Sequence, residues 1–578
     1  MGARRRRWSD RVPIVEVLRT YDRRWLRADV AAGIAVAALI VPKNLGYAGI
    51  AGIPLQNGLY AAAAGAILYA IFGTSRQIST GPSSGLAAVA ASAVLAVGLT
   101  GAQAAPFVAG ITLVSGVVFL VLAVLRMGWI AQFLSRAVVT GFLFGAAIDV
   151  VVGELPKITG TSAEGATPPQ ELWSWLGTLG DVNRATVVVG VVALGTVFGL
   201  RRVAPRVPGA LVLVVGGLLA TWLFDLGERG VALVGDVPRG LPSVEVPDVA
   251  LLLDNVATVA LASVALVMIG FSQTAGDART FAARHRYRVD IDQESFAQGA
   301  ANVGAGLLQG MPVSTSLSAS SLNDRTGARS PVASLTSGVM VLLTLVLLAP
   351  LFSGLPTAVL AAIIIEAVVM GMMDVASLRR LARVQRFDFW IAIVALVSTV
   401  LVGVLAGVLV GIGLSLLWLI SVTTRPSLPL MVRERGTQVF RELGEHADDE
   451  PEPDIAVIRI DGGLFFATAD ALEDRVREVS EANPGLSAIV IDCGAITIVD
   501  AQGAATLHEI LALAQDHGVT VRLARVKPSV RATLARDGVV DRLGPDRLHG
   551  SVHRAVEAHR AQAAGDSSDP GPSAAPAP

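Results

Sequence analysis

Long apolar stretches, separated by short polar loops, run along the chain from Val30 to Val422. About 20 apolar residues are needed to cross the ~30 Å of hydrocarbon in a bilayer. The pattern therefore predicts an α-helical membrane protein with fourteen spans, at residues 30–46, 55–72, 83–99, 104–125, 131–152, 185–200, 208–224, 256–276, 292–308, 314–325, 331–350, 356–373, 388–404 and 406–423. The third and tenth spans are too short or too polar to be ordinary spans, and we predict that each is a half-helix.

Two polar stretches, 73–85 and 310–321, interrupt the apolar pattern at these half-helices. Lipid cannot satisfy unwound backbone, so such segments persist at membrane depth only where they line a cavity enclosed by protein. A matched pair in the two halves of a chain is typical of the binding site of a secondary transporter. Seven spans precede the loop at 225–255 and seven follow it, which predicts two repeats of opposite orientation, about 30–224 and 256–424.

The distribution of charge indicates how the chain is oriented. Hydrophobic residues make up 53% of the chain and charged residues 16%, whereas soluble proteins carry about a quarter of charged residues. By the positive-inside rule, the arginine-rich loops and both termini lie in the cytoplasm, and we expect a lipid-embedded protein of a bacterial inner membrane. The four arginines at 4–7, in the basic segment 1–29, fit a role at the membrane surface better than a nucleic-acid site.

The pattern changes after Arg425. An acidic, proline-containing stretch (425–453) predicts a linker, and the alternating strand-like and helix-like segments that follow predict a small α/β domain (454–560). We predict strands at 455–460, 487–492 and 519–523, a continuation of the sheet at 464–466, and helices at 468–480, 501–516 and 529–537. The remaining residues, 561–578, have nothing apolar to bury and are predicted to be disordered.

The chain has a single cysteine, Cys493. It can form neither an intrachain disulfide nor a cysteine metal cluster. Because it directly follows the strand-like residues 488–492, we expect it to be a small core residue. The sequence predicts no resident metal or cofactor.

Three motifs resemble the sulfate permease (SulP) family of anion transporters, and the α/β domain resembles the STAS module that follows the membrane part in that family. The motifs are Pro42-Lys-Asn-Leu-Gly-Tyr-Ala-Gly-Ile-Ala-Gly-Ile-Pro54 with Gly58-Leu-Tyr60, Gly73-Thr-Ser-Arg-Gln-Ile-Ser-Thr-Gly-Pro82, and Pro312-Val-Ser-Thr-Ser-Leu-Ser318 with Asn323 and Gly327-Ala-Arg329. The resemblance extends to about residue 560. It implies a seven-plus-seven inverted repeat with a core domain that holds the substrate, a gate domain, and pairing into a homodimer.

The two half-helices predict how a substrate is bound. Each helix N-terminus presents about half a positive charge and several free N–H groups, and two that face each other form an anion site without a metal or an arginine. For a single serine, the alternative is a role in helix packing. The predicted substrate-binding residues are Lys43, Tyr47, Ser83, Ser84, Gly85, Ser314, Thr315, Ser316 and Ser318.

Three positions depart from the family pattern. Many members carry arginine directly after the serine that aligns with Ser318, and this chain has Ala319 there. Lys43 replaces the common glutamine, and we hypothesise that it supplies the missing positive charge; the alternative is that it extends toward the membrane surface. The eighth span has Gln273 where a carboxylate is usual, and Asp277 follows about one helical turn later on the same face.

We assign Gln273 and Asp277 to ion coupling, because a carboxylate near the substrate can take up a proton or Na⁺. The alternative is an ion pair between Asp277 and either Arg279 or Arg284 at the end of the span. Two further acidic residues lie inside predicted spans, and the sequence leaves their roles open: Asp149 and Glu366.

We therefore expect a secondary active transporter of a small anion (sulfate, bicarbonate or a dicarboxylate) that works by alternating access with H⁺ or Na⁺ as coupling ion. Two alternatives remain, a nucleobase permease of similar architecture and a membrane-anchored STAS signalling protein. The serine-rich half-helices argue against the first, and the interrupted spans argue against the second. An enzyme and a nucleic-acid partner are not expected, since paired histidines, a nucleophile elbow and a phosphate loop are absent from the sequence.

Asp500 precedes Ala501 where anti-sigma antagonist relatives carry a phosphorylatable serine, so we expect Asp500 to be a helix N-cap.

Overall fold

The computed structural model describes residues 12–100, 103–128, 135–165, 167–204, 207–446 and 448–566. The chain divides into two compact units, 1–416 and 417–578. The arginine run at 4–7 and the last twelve residues of the predicted tail, 567–578, lie outside the described residues.

Eighteen α-helices form within the described part of the chain before residue 424, and each predicted span overlaps one of them. The helices are Pro13–Arg19 (α1), Leu26–Ile50 (α2), Leu55–Phe72 (α3), Ser84–Val97 (α4), Ala104–Val124 (α5), Arg136–Thr159 (α6), Pro168–Gly177 (α7), Arg184–Val203 (α8), Gly209–Phe224 (α9), Val249–Asp254 (α10), Val256–His285 (α11), Ile291–Leu307 (α12), Leu317–Thr326 (α13), Val332–Leu343 (α14), Thr357–Met372 (α15), Val375–Val384 (α16), Arg386–Val402 (α17) and Val404–Thr423 (α18).

These helices differ in length and in hydrophobicity, which decides which of them could cross a membrane. In the part of the chain that the structure describes, nine helical segments are long and apolar enough to cross a membrane, and α4 and α9 are shorter apolar helices. The count of fourteen spans is compatible with this arrangement and stays a prediction. The half-helices at the third and tenth positions are present as α4, of 14 residues, and α13, of 10 residues.

Local sequence explains where these two helices begin and end. Ser83 and Ser316 are the N-caps of α4 and α13, and each hydroxyl accepts a backbone N–H from the first turn. Gly98 and Gly327 follow the two helices with positive φ angles of 70° and 98°. A serine N-cap and a left-handed glycine beyond the last turn are common helix-stopping signals, so the sequence itself limits both helices to half a membrane thickness.

The helices of the membrane unit pack in two groups. One group, which we call the core group, comprises α2–α5 and α11–α14; its closest neighbours are α12 with α5 and α3, and α14 with α2 and α3. The other, the gate group, comprises α6, α8, α9, α15, α17 and α18, and α6 packs against α15 and α17. Helices α2 and α15 are in contact where the two groups meet.

Two three-residue strands precede the half-helices. β1 (Thr80–Pro82) leads into α4, and β2 (Val313–Thr315) leads into α13. The strands pair in antiparallel fashion, with Gly81 opposite Ser314. We call this pair the ribbon. Its antiparallel pairing fits the predicted opposite orientation of the two repeats.

The second unit contains a six-stranded sheet in the order β4-β3-β5-β6-β7-β8. Strands β5 to β8 are parallel to one another, and β3 pairs antiparallel with β4 and β5. The strands are Leu430–Arg433 (β3), Phe440–Glu442 (β4), Ile455–Arg459 (β5), Ala488–Asp492 (β6), Thr520–Ala524 (β7) and Leu548–His549 (β8), and the helices are Ala469–Ala482 (α19), Ala501–Asp516 (α20), Pro528–Arg536 (α21), Val539–Leu543 (α22) and Val552–Asp566 (α23).

Three predictions for this unit differ from the structure. Residues 464–466 do not continue the sheet: Leu464 forms one isolated bridge with Val499, because two glycines precede it and the Phe466 N–H is taken by the Asp500 carboxylate. The predicted linker, 425–453, contains β3 and β4, which belong to the sheet. The first six residues of the predicted disordered tail are part of α23.

Candidate functional site

The ribbon brings the beginnings of the two half-helices together. Its register pairs Thr80 with Thr315 and Pro82 with Val313, and the Ser316 N–H adds a bond of 3.0 Å to the Ser79 carbonyl oxygen. Because each strand runs directly into a helix N-terminus, both helices begin beside the ribbon. The first N–H groups of a helix have no acceptor within the helix, so the ribbon lies among unpaired donors.

Buried amide side chains hold the ribbon in place. Asn302 of α12 donates to the Val313 carbonyl oxygen and accepts the Val313 N–H, both at 3.0 Å. Gln298, one turn earlier, also donates to the Val313 carbonyl oxygen. Asn323 of α13 donates to the Gln77 carbonyl oxygen at 3.0 Å. The sequence analysis named Asn323 as part of the third motif but did not single out Gln298 or Asn302, although amides inside an apolar span were a signal that could have found them.

A small cavity lies beside the ribbon. Of the described residues that line it, Lys43 alone is basic and none is acidic. Hydroxyl groups and ribbon backbone form much of the remaining surface. The lining residues are Leu39, Ile40, Lys43, Asn44, Tyr47, Ser79, Thr80, Gly81, Pro82, Ser316, Ser318 and Ala319.

Two polar atoms on this lining have no hydrogen-bond partner among the described residues. They are the Asn44 Nδ2 and the Thr80 Oγ1, and both are buried. Leaving a buried donor unpaired costs about 1–3 kcal/mol, so such groups in a native protein need an explanation. Both atoms belong to residues that line the cavity.

Four of the predicted substrate-binding residues line this cavity. Lys43 and Tyr47 lie on α2, and Ser316 and Ser318 lie at the beginning of α13. Lys43 thus lines the cavity, whereas the alternative had its side chain extend toward the membrane surface. Ala319 also lines the cavity, so the position where the family pattern has arginine faces the same space as Lys43.

The other predicted residues are placed differently. Ser314 and Thr315 belong to β2 rather than to the first turn of α13, since β2 extends the unwound segment to Thr315. Ser83 is the N-cap of α4, and its hydroxyl is 3.5 Å from that of Ser314. Ser84 and Gly85 begin α4, and a Cβ at Gly85 would lie 2.9 Å from Leu143 of the gate group. Ser84 and Gly85 therefore contribute through helix position rather than by lining the cavity.

A second polar cluster connects the ribbon to α11. The Ser314 hydroxyl donates to Gln273 Oε1 at 2.7 Å, and the Thr315 hydroxyl donates to Asp277 Oδ2 at 2.8 Å. Both residues assigned to ion coupling thus lie directly behind β2, on successive turns of α11. Within the described residues, Asp277 forms no ion pair with either Arg279 or Arg284, the alternative partners; Arg284 pairs with Asp324 at 2.8 Å.

Two family models match this chain. One, the sulfate permease family, matches residues 26–395, and the other, the STAS domain, matches residues 446–555. The chain belongs to the sulfate permease family. The resemblance predicted from the sequence motifs is confirmed.

Relatives in this family match nearly the whole chain. A probable sulfate transporter of Mycobacterium tuberculosis is 32% identical over 551 residues, which cover 95% of this chain and 98% of the relative. The chloroplastic sulfate transporter 4.1 of Arabidopsis thaliana is 28% identical, over 95% of this chain and 83% of its own. Sulfate anion transporter 1 of Homo sapiens is 27% identical, over 96% and 91%. The relatives are named as transporters, which supports transport rather than enzymatic catalysis.

Solved structures show that the fold is shared. The murine Solute Carrier 26 family member A9 anion transporter superposes with a TM-score of 0.87 at 20% identity, over 97% of this chain and 96% of that chain. The transmembrane domain of a cyanobacterium bicarbonate transporter, BicA, gives a TM-score of 0.59 at 20% identity, over 67% of this chain and 98% of that one. The predicted fold class, a helical membrane unit with a C-terminal STAS domain, is confirmed.

A buried acid that the sequence analysis missed fixes the beginning of the first polar stretch of this sulfate permease family member. Glu294 of α12 is fully buried and accepts the N–H groups of Thr74 at 2.7 Å and Ser75 at 3.2 Å. The hydroxyls of Thr74 and Tyr69 also bind this carboxylate. With so many donors, Glu294 anchors the loop that enters the ribbon. Its position within the predicted span 292–308 was the available signal.

The STAS domain of this family member has no hydroxyl at the position after Asp500. Asp500 is the N-cap of α20, and its carboxylate accepts the N–H of Gly503 at 2.8 Å and of Phe466 at 3.0 Å. These bonds lower the pKa of the Asp500 carboxyl. Cys493 is buried, as expected, and burial raises the pKa of its thiol to about 12. Within the described residues, no cluster of His, Cys, Asp or Glu could hold a metal ion.

Proposed function

We propose that this protein is a secondary active transporter of a small anion, namely sulfate, bicarbonate or a dicarboxylate, and that the anion binds in the cavity beside the ribbon. The observation that carries the proposal is the chemistry of the cavity wall. It offers the unpaired donors of Asn44 and Thr80, the amine of Lys43 and two serine hydroxyls, and it has no carboxylate among the described lining residues.

Electrostatics favour an anion over a neutral solute at this place. The N-termini of α4 and α13 begin beside the ribbon, and each contributes about half a positive charge. Lys43 adds a cationic group from the opposite wall. Neutral hydroxyls contribute hydrogen bonds without a further full charge, so an anion can be held and still be released. The names of the relatives, which are sulfate transporters, point to the same class of cargo.

For the transport cycle we propose alternating access, in which the core group moves against the gate group. Most of the cavity wall belongs to the core group, through α2, the ribbon and α13. Motion of that group would carry the bound anion. We further propose that Asp277 couples transport to H⁺ or Na⁺. Its carboxylate accepts a hydrogen bond from Thr315 of the ribbon, so a bound proton or Na⁺ at Asp277 and an anion beside the ribbon influence each other through this bond.

Transport by purified protein in liposomes tests the proposal. Labelled sulfate, bicarbonate, fumarate and uracil are offered, each with and without imposed proton and sodium gradients. We expect uptake of at least one anion and none of uracil; uptake of uracil alone would indicate a nucleobase permease. Lys43→Glu should reduce anion uptake about tenfold or more, because hydrogen bonds to charged groups are worth about 1.5–3 kcal/mol. Arg239→Glu, an exposed loop position, is the charge-matched control and should transport like the unchanged protein.

We also propose that the protein forms a homodimer in a bacterial inner membrane, with both termini in the cytoplasm. The family resemblance supports the first point and the arginine-rich loops support the orientation. Native mass spectrometry of the detergent-solubilised protein should find two chains with bound lipid. A single chain over the whole concentration range would contradict the dimer.

A further inference from the structure

In the gate group, an ion pair links α8 to α15. Arg201, in the last turn of α8, places Nη1 2.7 Å from Oε1 of Glu366 on α15. Only 9% of the Glu366 side chain is exposed, whereas about half of the Arg201 side chain is exposed. A buried carboxylate needs a partner, because desolvation makes an unpaired charge costly. Arg201 is therefore the partner of Glu366 in this arrangement.

Lys43 belongs to the core group, on helix α2, which contacts α15 of the gate group. It shares a face of α2 with Gly46 and Tyr47, three and four residues further on. A Cβ at Gly46 would lie only 2.7 Å from Cγ1 of Ile364, so α2 touches α15 within one turn of Lys43 and two residues from Glu366. The Lys43 amine interacts electrostatically with both Glu366 and Arg201, and the Tyr47 hydroxyl interacts with Glu366.

Lys43 itself has no close counter-ion. Among the residues that the structure describes, no carboxylate lies within 4 Å of its amine, although it is half-buried and lines the cavity. Two cationic residues, Lys43 and Arg201, thus lie near the carboxylate of Glu366 at the contact between the core and gate groups. Lys43 belongs to the core group. Arg201 and Glu366 belong to the gate group. A lysine inside a membrane is expensive unless it is paired.

We infer that Glu366 is an exchangeable counter-ion, which pairs with Arg201 while an anion occupies the cavity and with Lys43 while the cavity is empty. The inference rests on the proposed function, because it takes the cavity as the anion site. The pairing in the structure, with Glu366 on Arg201 and Lys43 open to the cavity, is the one that the proposal assigns to the anion-bound state. On release of the anion, Glu366 replaces it and neutralises Lys43 for the return of the empty core group.

The two roles of Glu366 give different kinetic effects. In Glu366→Gln, anion exchange should persist, because Lys43 is paired with substrate in both directions. Net uptake should fail, because the empty core group would have to move with an unpaired Lys43. The apparent affinity for the anion should rise, since the internal competitor is removed. In Arg201→Gln, Glu366 has only Lys43 left as partner, so the apparent affinity should fall.

Proteoliposomes measure both modes in the same preparation. Labelled sulfate, bicarbonate or fumarate, whichever the unchanged protein transports, is followed into vesicles that contain the same anion (exchange) or none (net uptake). For Glu366→Gln we expect the ratio of net uptake to exchange to fall about tenfold, which corresponds to about 1.4 kcal/mol. This ratio does not depend on how much of the variant is folded.

Affinity provides the second arm and a matched control. Arg201→Gln should raise the KM of exchange about tenfold, and the double variant Arg201→Gln with Glu366→Gln should return it toward the original value. Arg202→Gln removes the same charge from the adjacent, exposed position and should change neither quantity. If the unchanged protein exchanges anions but shows no net uptake, these KM measurements alone test the exchangeable counter-ion.

The outcomes separate the two proposals. If Lys43→Gln leaves anion transport unchanged, the proposed anion site is wrong. If Lys43→Gln impairs transport while Glu366→Gln lowers exchange and net uptake equally, or changes neither, the anion site stands and the exchangeable counter-ion is wrong. A double variant with the same raised KM as Arg201→Gln alone would also overturn it.

Discussion

At the scale of single residues, the buried polar groups of the membrane unit fall into two classes. Gln298, Asn302 and Glu294 have partners and fix the backbone that enters the ribbon. Asn44 and Thr80 keep buried polar atoms unpaired, and both line the cavity. Because an unpaired buried donor is costly and a paired one is not, the first class stabilises the fold. Unpaired buried atoms also occur away from the cavity, for example Ser263 Oγ and Ser337 Oγ, so it is their place on the cavity wall that assigns Asn44 and Thr80 to the anion in the proposed function.

The first prediction concerns Asp277. Its carboxylate accepts the Thr315 hydroxyl at 2.8 Å, and an amide at this position keeps the size but cannot change charge. Asp277→Asn should therefore remove the dependence of anion transport on an imposed proton or sodium gradient. The measurement is uptake into liposomes with and without each gradient.

Asp254→Asn is the control for Asp277→Asn, because Asp254 is an exposed acid at the end of α10. It should keep the full gradient dependence. If Asp277→Asn also keeps it while transporting at a normal rate, Asp277 does not couple transport to an ion.

At the scale of elements, the ribbon determines where the two half-helices begin. It has only three residue pairs, and a two-stranded pair of this length is not stable by itself. Its stability therefore comes from α12, whose amides replace the missing neighbouring strand, and from the close packing of α2 against α3.

The second prediction tests this role of α12. Asn302→Leu removes both hydrogen bonds to the Val313 backbone and leaves two buried backbone groups with fewer partners, at a cost of about 1–3 kcal/mol each. We expect a lower Tm in detergent and loss of anion uptake. Asn255→Leu, at the partly buried boundary of α10 and α11, removes a hydrogen bond to the Leu251 carbonyl oxygen away from the ribbon and should have little effect on uptake. A normal Tm and normal uptake in Asn302→Leu would show that the ribbon does not depend on α12.

The third prediction concerns the contact between α2 and α3. A Cβ at Gly58 would lie 2.1 Å from the Asn44 carbonyl oxygen, so only glycine permits this approach. Gly58→Val should destabilise the protein by about 1–3 kcal/mol, the usual cost of overpacking. Thermal unfolding followed by fluorescence-detected size exclusion measures the shift. Gly195→Ala, where an added Cβ meets open space, should unfold at the original temperature or slightly above it.

The fourth prediction concerns α23 of the STAS domain, which packs against β6, β7 and β8. Arg522, buried on β7, places Nη1 3.1 Å from His549 Nε2. Burial and this guanidinium lower the pKa of both His549 and His559 from the ordinary 6.5. Asp454 acts in the opposite direction on His559. The pKa of the Arg522 guanidinium is itself lowered, by burial first and then by Arg547, whereas Asp546 acts to raise it.

The sign of the pH effect follows from these shifts. Packed α23 requires neutral histidines, and released α23 lets them regain the ordinary pKa. Packing is thus fully favoured above about pH 6.5 and weakens as the pH falls below that value. Hydrogen exchange of residues 552–566 in the full-length protein, corrected for the intrinsic rate, should be faster at about pH 5.5 than at about pH 7.5.

A double variant, His549→Gln with His559→Gln, provides the check on this pH effect. It should reduce the difference between the two pH values, whereas His517→Gln, at the exposed end of α20, should not. Equal protection of α23 at both pH values in the unchanged protein would contradict the prediction.

At the scale of the whole molecule, the chain combines a membrane unit and a STAS unit with a single cysteine. Cys493 is 2% exposed, and its thiol has a pKa raised by burial to about 12. Thiolate is the reactive form of cysteine, so the unchanged protein should not react with maleimide at neutral pH. Introduced cysteines can therefore report on orientation.

The fifth prediction uses this property. Gly180→Cys, in the loop predicted outside, should react with an impermeant maleimide on intact cells, because an added side chain there meets open space. Arg380→Cys, exposed on α16, should react only after permeabilisation. The reverse pattern would show that the termini lie outside.

The sequence was sufficient for the elements and insufficient for several contacts. Apolar runs placed the spans, and the shortness or polarity of the third and tenth spans indicated the half-helices, because both are local properties. Helix 501–516 was predicted to the residue. The linker 425–453 was misread because β3 is stabilised by its pairing with β5, a partner distant in sequence, which no local pattern reveals.

The sequence by itself therefore determined the membrane class, the two interrupted spans and the family. The tertiary structure alone decided which polar groups meet. It paired β1 with β2 across more than two hundred residues, placed Thr315 on Asp277, and brought Arg201 to Glu366 beside Lys43. The physical reason is that hydrophobicity and capping act over a few residues, whereas hydrogen bonds and ion pairs depend on distances that only the packed chain sets.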